Sequence, residues 1–506
     1  MDLTHVSIRP AVTDWLHVGL LFSIILVFIA VAEWLRHRLN WPQEVTRKTV
    51  HISVGLLMLS APVLLKSSIP LLLIGLFFTI FNYLALKKNW LPGIHIDRSN
   101  LGTVYYPFSF FLLVLLFWGA NRIVIIAAVW VMAVGDASAA IVGQRVKRPH
   151  RYSLGAEPRS LEGSMAMLIS STLGVFLTFL LYPSELAMLN GDTWLKFAIA
   201  FAGAMAGTAS ESLGRKGNDN LYAPLISSVV IYYLISHTKV ELLNFYVGTS
   251  LGAAFAYSAY RLRALNSSGA VAVFLLAMLI FGFGGWAWTV PILTFFILSS
   301  ILSKTGKKIK QCYDLVFEKG HQRDHGQVAA NGGIAAMALA LNILFPGDFW
   351  YFVYLGAIAA ATADTWATEI GVLFGHSPRL ITNFKPVPSG TSGGITVAGL
   401  AGSILGALVV GISAIPFYPP ALEPQRMVGL ITLVGLIGAL FDSLAGATVQ
   451  AQFRCPDCQK ITERRAHCSE RPTVLIKGKL WVNNDLVNLF CTFMGGLAAL
   501  CLFTLI

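Results

Sequence analysis

Runs of about twenty apolar residues recur along the whole length of this 506-residue chain. In lipid every backbone N–H and C=O must be paired within the protein, so such runs fold as membrane helices or as strands of a closed barrel. Barrel strands would show stretches of about ten residues with alternating polarity, a pattern this sequence lacks. The chain is 56% hydrophobic and 12% charged, whereas soluble domains carry roughly a quarter charged residues. The expected fold class is an all-α polytopic membrane protein.

Sixteen helices are predicted, centred near residues 25, 58, 77, 111, 132, 171, 204, 229, 252, 277, 294, 336, 361, 404, 437 and 495. The basic residues test this count. Of 37 Lys and Arg, all but Arg9, Lys66, Arg122, Lys196, Lys239 and Arg426 fall in alternate loops, starting with the loop after the first helix. The positive-inside rule makes those loops cytoplasmic and places both termini outside. The basic cluster follows the first apolar run, unlike the arrangement of a cleavable leader. A net charge of +12 then serves orientation and contact with anionic membrane lipids, with no nucleic-acid partner expected. The expected setting is a prokaryotic inner membrane.

Two aspartates near the ends of apolar runs share one frame. Asp136 is followed by Ala139 and Gly143, and Asp364 by Ala367 and Gly371. On a helix these offsets share a face, with small residues admitting close approach. A carboxylate among membrane helices costs several kcal/mol unless it is paired or bound to metal. Further pairs recur at a drifting offset: Asp97 with Asp324, Ser160 with Ser389, Gly163 with Gly393, and Glu211 with Asp442. A parallel tandem repeat of two eight-helix halves is expected, residues 1–238 and 239–506. Residues 451–482 form a Cys-containing insertion in the second half.

In the first half the polar motifs cluster on the predicted cytoplasmic side. They are Arg47-Lys48-x2-His51, Asp97-Arg98-Ser99-Asn100, Asp136, the run from Arg159 and Ser160 through Glu162 and Gly163, Glu211, and Asp219-Asn220. Carboxylates that hold Mg²⁺ beside cations and compact donors suit phosphoryl transfer from a nucleotide. Asp136 and Glu211 are the expected Mg²⁺ ligands, while Asp136, Glu162, Glu211 and Asp219 are the candidate catalytic acids. Arg47, Lys48, His51, Arg159, Ser160, Gly163 and Asn220 are the candidate nucleotide contacts. Structural roles compete: Glu162 suits a helix N-terminus and Asp219 a turn.

Arg47-Lys48-x2-His51, Gly135-Asp136-Ala137, Ser160-Leu161-Glu162-Gly163-Ser164 and Glu211 with Asp219-Asn220 resemble the phytol kinase/dolichol kinase family of polytopic lipid kinases. The resemblance spans about residues 10–236. It implies CTP as phosphoryl donor and a long isoprenoid alcohol as acceptor. The family usually has Lys where Arg159 stands, which replaces a point donor by a planar fork.

The second half carries Asn266-Ser267-Ser268-Gly269, Asp324-His325-Gly326-Gln327, Asn331-Gly332-Gly333, Asp364 with Glu369, Gly390-Thr391-Ser392-Gly393-Gly394, Asp442, Gln450 and Asn483-Asn484. Asp364, Glu369 and Asp442 are the expected Mg²⁺ ligands, and Asp324, Asp364 and Asp442 the candidate catalytic acids. Asn331, Gly390, Thr391, Ser392, Gly393, Gly394, Asn483 and Asn484 are the candidate phosphate contacts, the glycine loop through its backbone N–H groups. Asn483 and Asn484 alternatively cap the last helix. Several of these motifs resemble the phytyl phosphate kinase family over about residues 240–506. That resemblance implies phosphorylation of an isoprenyl monophosphate to the diphosphate, with the nucleotide left open. Lys304, Lys307, Lys308, Lys310 and Arg323 are the cations nearest to hand for an anionic acceptor.

Cys455-x2-Cys458 and His467-Cys468 form a Cys₃His set suited to structural Zn²⁺. Cys312, Cys491 and Cys501 read as small apolar residues. The combined expectation is a bifunctional lipid kinase acting first on a phytol- or geranylgeraniol-type alcohol and then on its monophosphate. Cytidylyl transfer to a lipid phosphate and a cation-coupled transporter are the competing classes. A prenyl-transferring synthase is disfavoured because no Asp-Asp-x-x-Asp run is present.

Overall fold

The computed structural model describes residues 9–88, 90, 100–155, 157–183, 186, 191–237, 239–305, 322–375, 377–418, 423–468 and 471–503. Asp97, Arg98, Ser99, Lys307, Lys308, Lys310 and Cys312 lie outside the described residues. The chain divides into two compact units, Met1–Leu243 and Asn244–Ile506.

In the first unit the helices are α1 (Val12–Leu39), α2 (Gln43–Met58), the single turn α3 (Ala61–Leu64), α4 (Ile69–Lys88) and α5 (Gly102–Phe117). Next come α6 (Arg122–Arg145), α7 (Leu161–Leu181), α8 (Thr193–Ser212) and α9 (Asp219–Ile235). A hairpin of β1 (Arg151–Tyr152) and β2 (Arg159–Ser160) separates α6 from α7. The first half of α6 is the core, with every residue from Ile123 to Val129 buried. Its buried Arg122 donates to the carbonyls of Pro62, Leu65 and Lys66 at the end of α3, at 3.0 to 3.3 Å. Glycine lets α8 come close: a Cβ on Gly207 would lie 2.7 Å from Val131 Cγ1 of α6.

Helix α10 (Lys239–Arg261) begins before the boundary at Asn244, and the second unit continues with α11 (Ser267–Lys304), α12 (His325–Leu344) and α13 (Phe349–Phe374). The α11 helix is two arms joined at Gly285, whose φ of 59° and ψ of −157° are open to glycine alone. A hairpin of β3 (Arg379–Leu380) and β4 (Gly394–Ile395) leads into α14 (Val397–Ser413) and α15 (Pro424–Thr448). The insertion folds as β5 (Gln452–Arg454), β6 (Ile461–Thr462), β7 (Ala466–His467), β8 (Arg471–Pro472) and β9 (Val474–Lys477), before α16 (Asn484–Phe503). Strands β6, β5 and β9 make one antiparallel sheet and β7 and β8 another. The core is centred on α13, which is buried without a break from Phe352 to Ala363.

The molecule is mainly helical, and helical residues cover every predicted centre. Eight of the described helices are long and apolar enough to cross a membrane. The all-α expectation needs one correction, because nine short strands are present among the described residues. Five lie in the insertion, where Val474-Leu475-Ile476 favours a strand and the surrounding polarity is unsuited to lipid.

Candidate functional site

In the first unit a π-helical turn, Val131–Gly135, immediately precedes Asp136. The Asp136 N–H reaches back five residues to the Val131 carbonyl, and turns of this kind gather at functional sites. His51 on α2 uses Nε2 to donate to the Met132 carbonyl at 3.0 Å. A carbonyl only accepts, so Nε2 carries the proton and Nδ1 is the basic nitrogen of neutral His51. The same Nε2 is 3.9 Å from the Asp136 carboxylate. Tyr106 on α5, a residue sequence reasoning missed, donates to the His51 carbonyl at 3.0 Å and packs its ring at 4.2 Å.

Carboxylate oxygens of Asp136, Glu211 and Asp219 all lie within 4.8 Å of one another. Glu211 is only 2% exposed and closes α8, while Asp219 opens α9. Arg159, at the end of the β-hairpin, ties them through Nη1 to Glu211 at 2.5 Å and Nη2 to Asp219 at 2.8 Å. Burial opposes the charge of Arg159, yet these two acids outweigh it and its pKa is raised. The grouping fits a hard divalent cation that retains some of its water. Asp219 therefore lies beside Asp136 and Glu211, the two expected Mg²⁺ ligands.

Other first-half candidates hold the scaffold. Glu162 accepts from the backbone N–H of His150 at 3.1 Å and faces the His150 ring at 2.7 Å, outside the carboxylate group. Ser160 caps α7 by accepting the Gly163 N–H at 3.1 Å. A Cβ on Gly163 would lie 2.7 Å from the Ala139 carbonyl oxygen, so the Asp136 frame packs against the start of α7. Arg47 and Lys48 pair with Glu44 at 2.8 and 3.3 Å.

Beside His51 lies a cavity of about 120 Å³. Its walls include Ile25, Val54, Ile74, Phe78 and Phe110, and its polar lining is Arg47, His51, Asn82, Thr103, Tyr106 and Asn220. Asn220 donates to the Gly102 carbonyl at 3.4 Å.

A larger cavity of about 350 Å³ occupies the second unit. Asp364, Glu369, Asp442, Asn331, Asn484 and the loop Gly390 to Gly394 all line it. Asp364 of α13 and Asp442 of α15 line the same cavity, and Asp442 Oδ1 is buried without a hydrogen-bond partner. Glu369 accepts the Ser303 hydroxyl. Among the described residues these acids make no three-carboxylate group like that of the first unit. Gly390 and Gly393 have φ of 84° and 81°, which the turn requires. Within that turn Thr391 and Gly394 donate their N–H groups to the carbonyls of Pro388 and Thr391, so those two donors serve the loop itself.

Arg323 lines the cavity and stacks over Phe295 and Phe296 at 5.4 and 5.0 Å. Two candidates are helix caps instead. Asp324 forms a capping box with Gln327 at the start of α12, and Asn483 accepts the Leu486 N–H at 3.1 Å. Ser268, in the first turn of α11, accepts the His325 N–H at 3.2 Å.

The expected partners of Ser160 and Gly163 need correction. In the second unit it is Thr396 that caps α14 by accepting the Gly399 N–H, at 2.9 Å. A Cβ on Gly399 would lie 3.1 Å from the Ala367 carbonyl, as Gly163 lies against Ala139. Ser389 and Gly393 belong instead to the hairpin loop, where Gly393 packs against Ala447. The second loop is longer, which breaks the smoothly drifting offset.

Glu463 went unnoticed in the sequence because it sits in the polar insertion, yet it lines the cavity. It accepts the Ser392 hydroxyl at 2.7 Å and the Gln450 amide at 2.9 Å. In the same insertion the ligating atoms of Cys455, Cys458, His467 and Cys468 lie within 4.8 Å of one another. Backbone N–H groups of Cys458 and Asp457 hold the Cys455 thiol down at about 6, while contact with Cys458 pushes Cys468 up to about 11.

Residues 250–496 match the family of integral membrane proteins called DUF92. Protein PGR of Arabidopsis thaliana is 32% identical over 277 residues, covering 49% of this chain and 93% of that protein. Phytol kinase of Synechocystis sp. is 34% identical over 220 residues, covering 43% of this chain and 91% of its own. Protein VTE6, chloroplastic, of Arabidopsis thaliana is 23% identical, covering 47% of this chain and 64% of its own. No solved structure matches. The chain is a multi-pass membrane protein that belongs to the DUF92 integral membrane family, with phytol kinase among its relatives.

Proposed function

We propose that this protein is a bifunctional isoprenoid kinase, with residues 1–238 phosphorylating a phytol- or geranylgeraniol-type alcohol and residues 239–506 phosphorylating the resulting monophosphate. The observation that carries the first activity is the apolar cavity whose polar end is His51, 3.9 Å from one member of a three-carboxylate group. An isoprenoid chain fits such walls, and its hydroxyl would sit at His51. The relationship to phytol kinase supports the same acceptor class.

In the proposed reaction the alcohol oxygen bonds to the γ-phosphorus of CTP. The bond from that phosphorus to the β-phosphate bridging oxygen breaks, CDP leaves, and the hydroxyl proton passes to His51 or Asp136. Glu162 and Asp219 are worse bases, being engaged by His150 and Arg159. Asp136, Glu211 and Asp219 would hold Mg²⁺, which neutralises charge on the phosphate oxygens. Arg47 supplies a further cation at the cavity.

The second activity rests on the larger polar cavity, where Asp364, Asp442 and Arg323 face the glycine loop. Two units of like internal design, each pairing the frame aspartate with an acid from a later helix, support a tandem duplication. Both sites are proposed to face the cytoplasm, where nucleotide is available.

The test is incubation of purified protein with labelled isoprenoid alcohol, CTP, ATP and Mg²⁺, resolving mono- from diphosphate and CDP from pyrophosphate. Stepwise formation of both lipid phosphates with CDP is expected from CTP. Release of pyrophosphate with a lipid-CMP product would replace this reading by cytidylyl transfer.

A further inference from the structure

The two sites draw an acid from different places after their paired Asp136/Glu211 and Asp364/Asp442. In the first unit it is Asp219, the first residue of α9, whereas the helix at the corresponding point of the second unit, α16, begins with the amide Asn484. The acid that reaches the second cavity is Glu463, carried by the inserted segment. It stands five positions after Cys458 and four before His467.

That segment has little apolar core of its own. Its strands are two to four residues long, and several of its side chains, among them Val474, Leu475 and Trp481, are exposed. Small folds of this kind are usually stapled by metal or disulfide. The Cys₃His group meets the requirements of tetrahedral zinc. Bonds of about 2.3 Å to sulfur and about 2.0 Å to nitrogen place neighbouring S and N ligands about 3.5 Å apart. His467 Nδ1 lies 3.5 Å from Cys458 Sγ and 3.1 Å from Cys468 Sγ. Adjacent ligands at His467 and Cys468 are sterically demanding, and the left-handed φ of 38° at Cys468 turns its thiol toward the group. Cys455 and His467 are buried, at 0% and 6% exposure.

We propose that Cys455, Cys458, His467 and Cys468 bind Zn²⁺ and that this ion clamps the insertion so that Glu463 forms part of the second cavity and fixes its glycine loop through Ser392. Glu463 is a positioning residue in this arrangement. Its carboxylate holds Ser392 and Gln450 together, the first from the glycine loop and the second just beyond α15. The inference rests on the reading of that cavity as the monophosphate-binding site.

Zinc content and proteolysis test the clamp without reference to activity. One zinc per chain is expected in the purified protein, with Cys458→Ser losing it. Chelation should open the insertion to trypsin at Arg464 and Arg465. Kinetics test Glu463. Glu463→Ala should keep its zinc, raise KM for isoprenyl monophosphate about tenfold or more, change kcat much less, and leave alcohol phosphorylation as in the parent. Glu463→Gln, which keeps an oxygen for Ser392, should recover most of the loss. A chain that takes up no zinc, or a Glu463→Ala variant with parental KM, would overturn the proposal. Zinc binding and tryptic protection in a parent protein that never converts monophosphate would uphold the clamp and sink the proposed second activity.

Discussion

Arg159 and Glu211 form a 2.5 Å ion pair in which the carboxylate is 2% exposed. A buried acid of this kind depends on its partner, because removing the guanidinium leaves its charge uncompensated. Arg159→Ala should therefore destabilise the first unit by about 3–5 kcal/mol, read as a lowered midpoint of thermal unfolding in detergent. Mg²⁺ should recover part of that loss in the variant, since the same carboxylates are its proposed ligands. A variant as stable as the parent would separate Arg159 from the integrity of the site.

Asp136→Ala should abolish both products made from alcohol while sparing conversion of added monophosphate. Asp364→Ala should accumulate monophosphate. Product analysis by thin-layer chromatography decides this, and equal loss of both half-reactions in both variants would rule out independent sites.

The apolar cavity makes a size-dependent prediction. Val54→Phe adds bulk to a space of about 120 Å³ that also holds Ile74 and Phe110 in its walls. Use of a long isoprenoid alcohol should fall, as kcat/KM, by at least about tenfold, equivalent to about 1.4 kcal/mol. A short-chain alcohol should be much less affected, and equal loss for both would argue that the chain binds elsewhere.

Gly163 tests the packing that carries the hairpin. With 2.7 Å between a Cβ there and the Ala139 carbonyl oxygen, Gly163→Ala should cost about 1–3 kcal/mol through displaced backbone. The expected result is a lower unfolding midpoint together with weakened alcohol phosphorylation, as the hairpin also supplies Arg159. Gly333→Ala, which meets no atom within 4 Å, is the control and should unfold like the parent.

Much of the architecture was written locally. Apolar runs must become helices in lipid because each helix pairs its own backbone groups, whatever its neighbours do. The frame Asp136-x2-Ala139-x3-Gly143 announced a close approach by its spacing alone, and the structure puts the α7 glycine against Ala139. The Cys₃His spacing likewise marked four side chains that do converge.

Other assignments depended on where loops close. Glu162, Asp324 and Asn483 were chemically suited to a site, but each carries a hydrogen bond that closes a hairpin or a helix end. A short side chain and a nearby free N–H decide such roles, and spacing does not reveal whether a ligand or a backbone group is nearer. Ser160 was matched with Ser389 by a steady offset, although Thr396 performs its function, since loop length drifts freely between fixed helices. Helices, charged frames and ligand types are legible in the amino-acid order because short-range physics sets them. That Asp219 completes the first group and that Glu463 reaches the second cavity emerges from the folded chain alone, because side chains distant in sequence become neighbours only when helices and insertion pack.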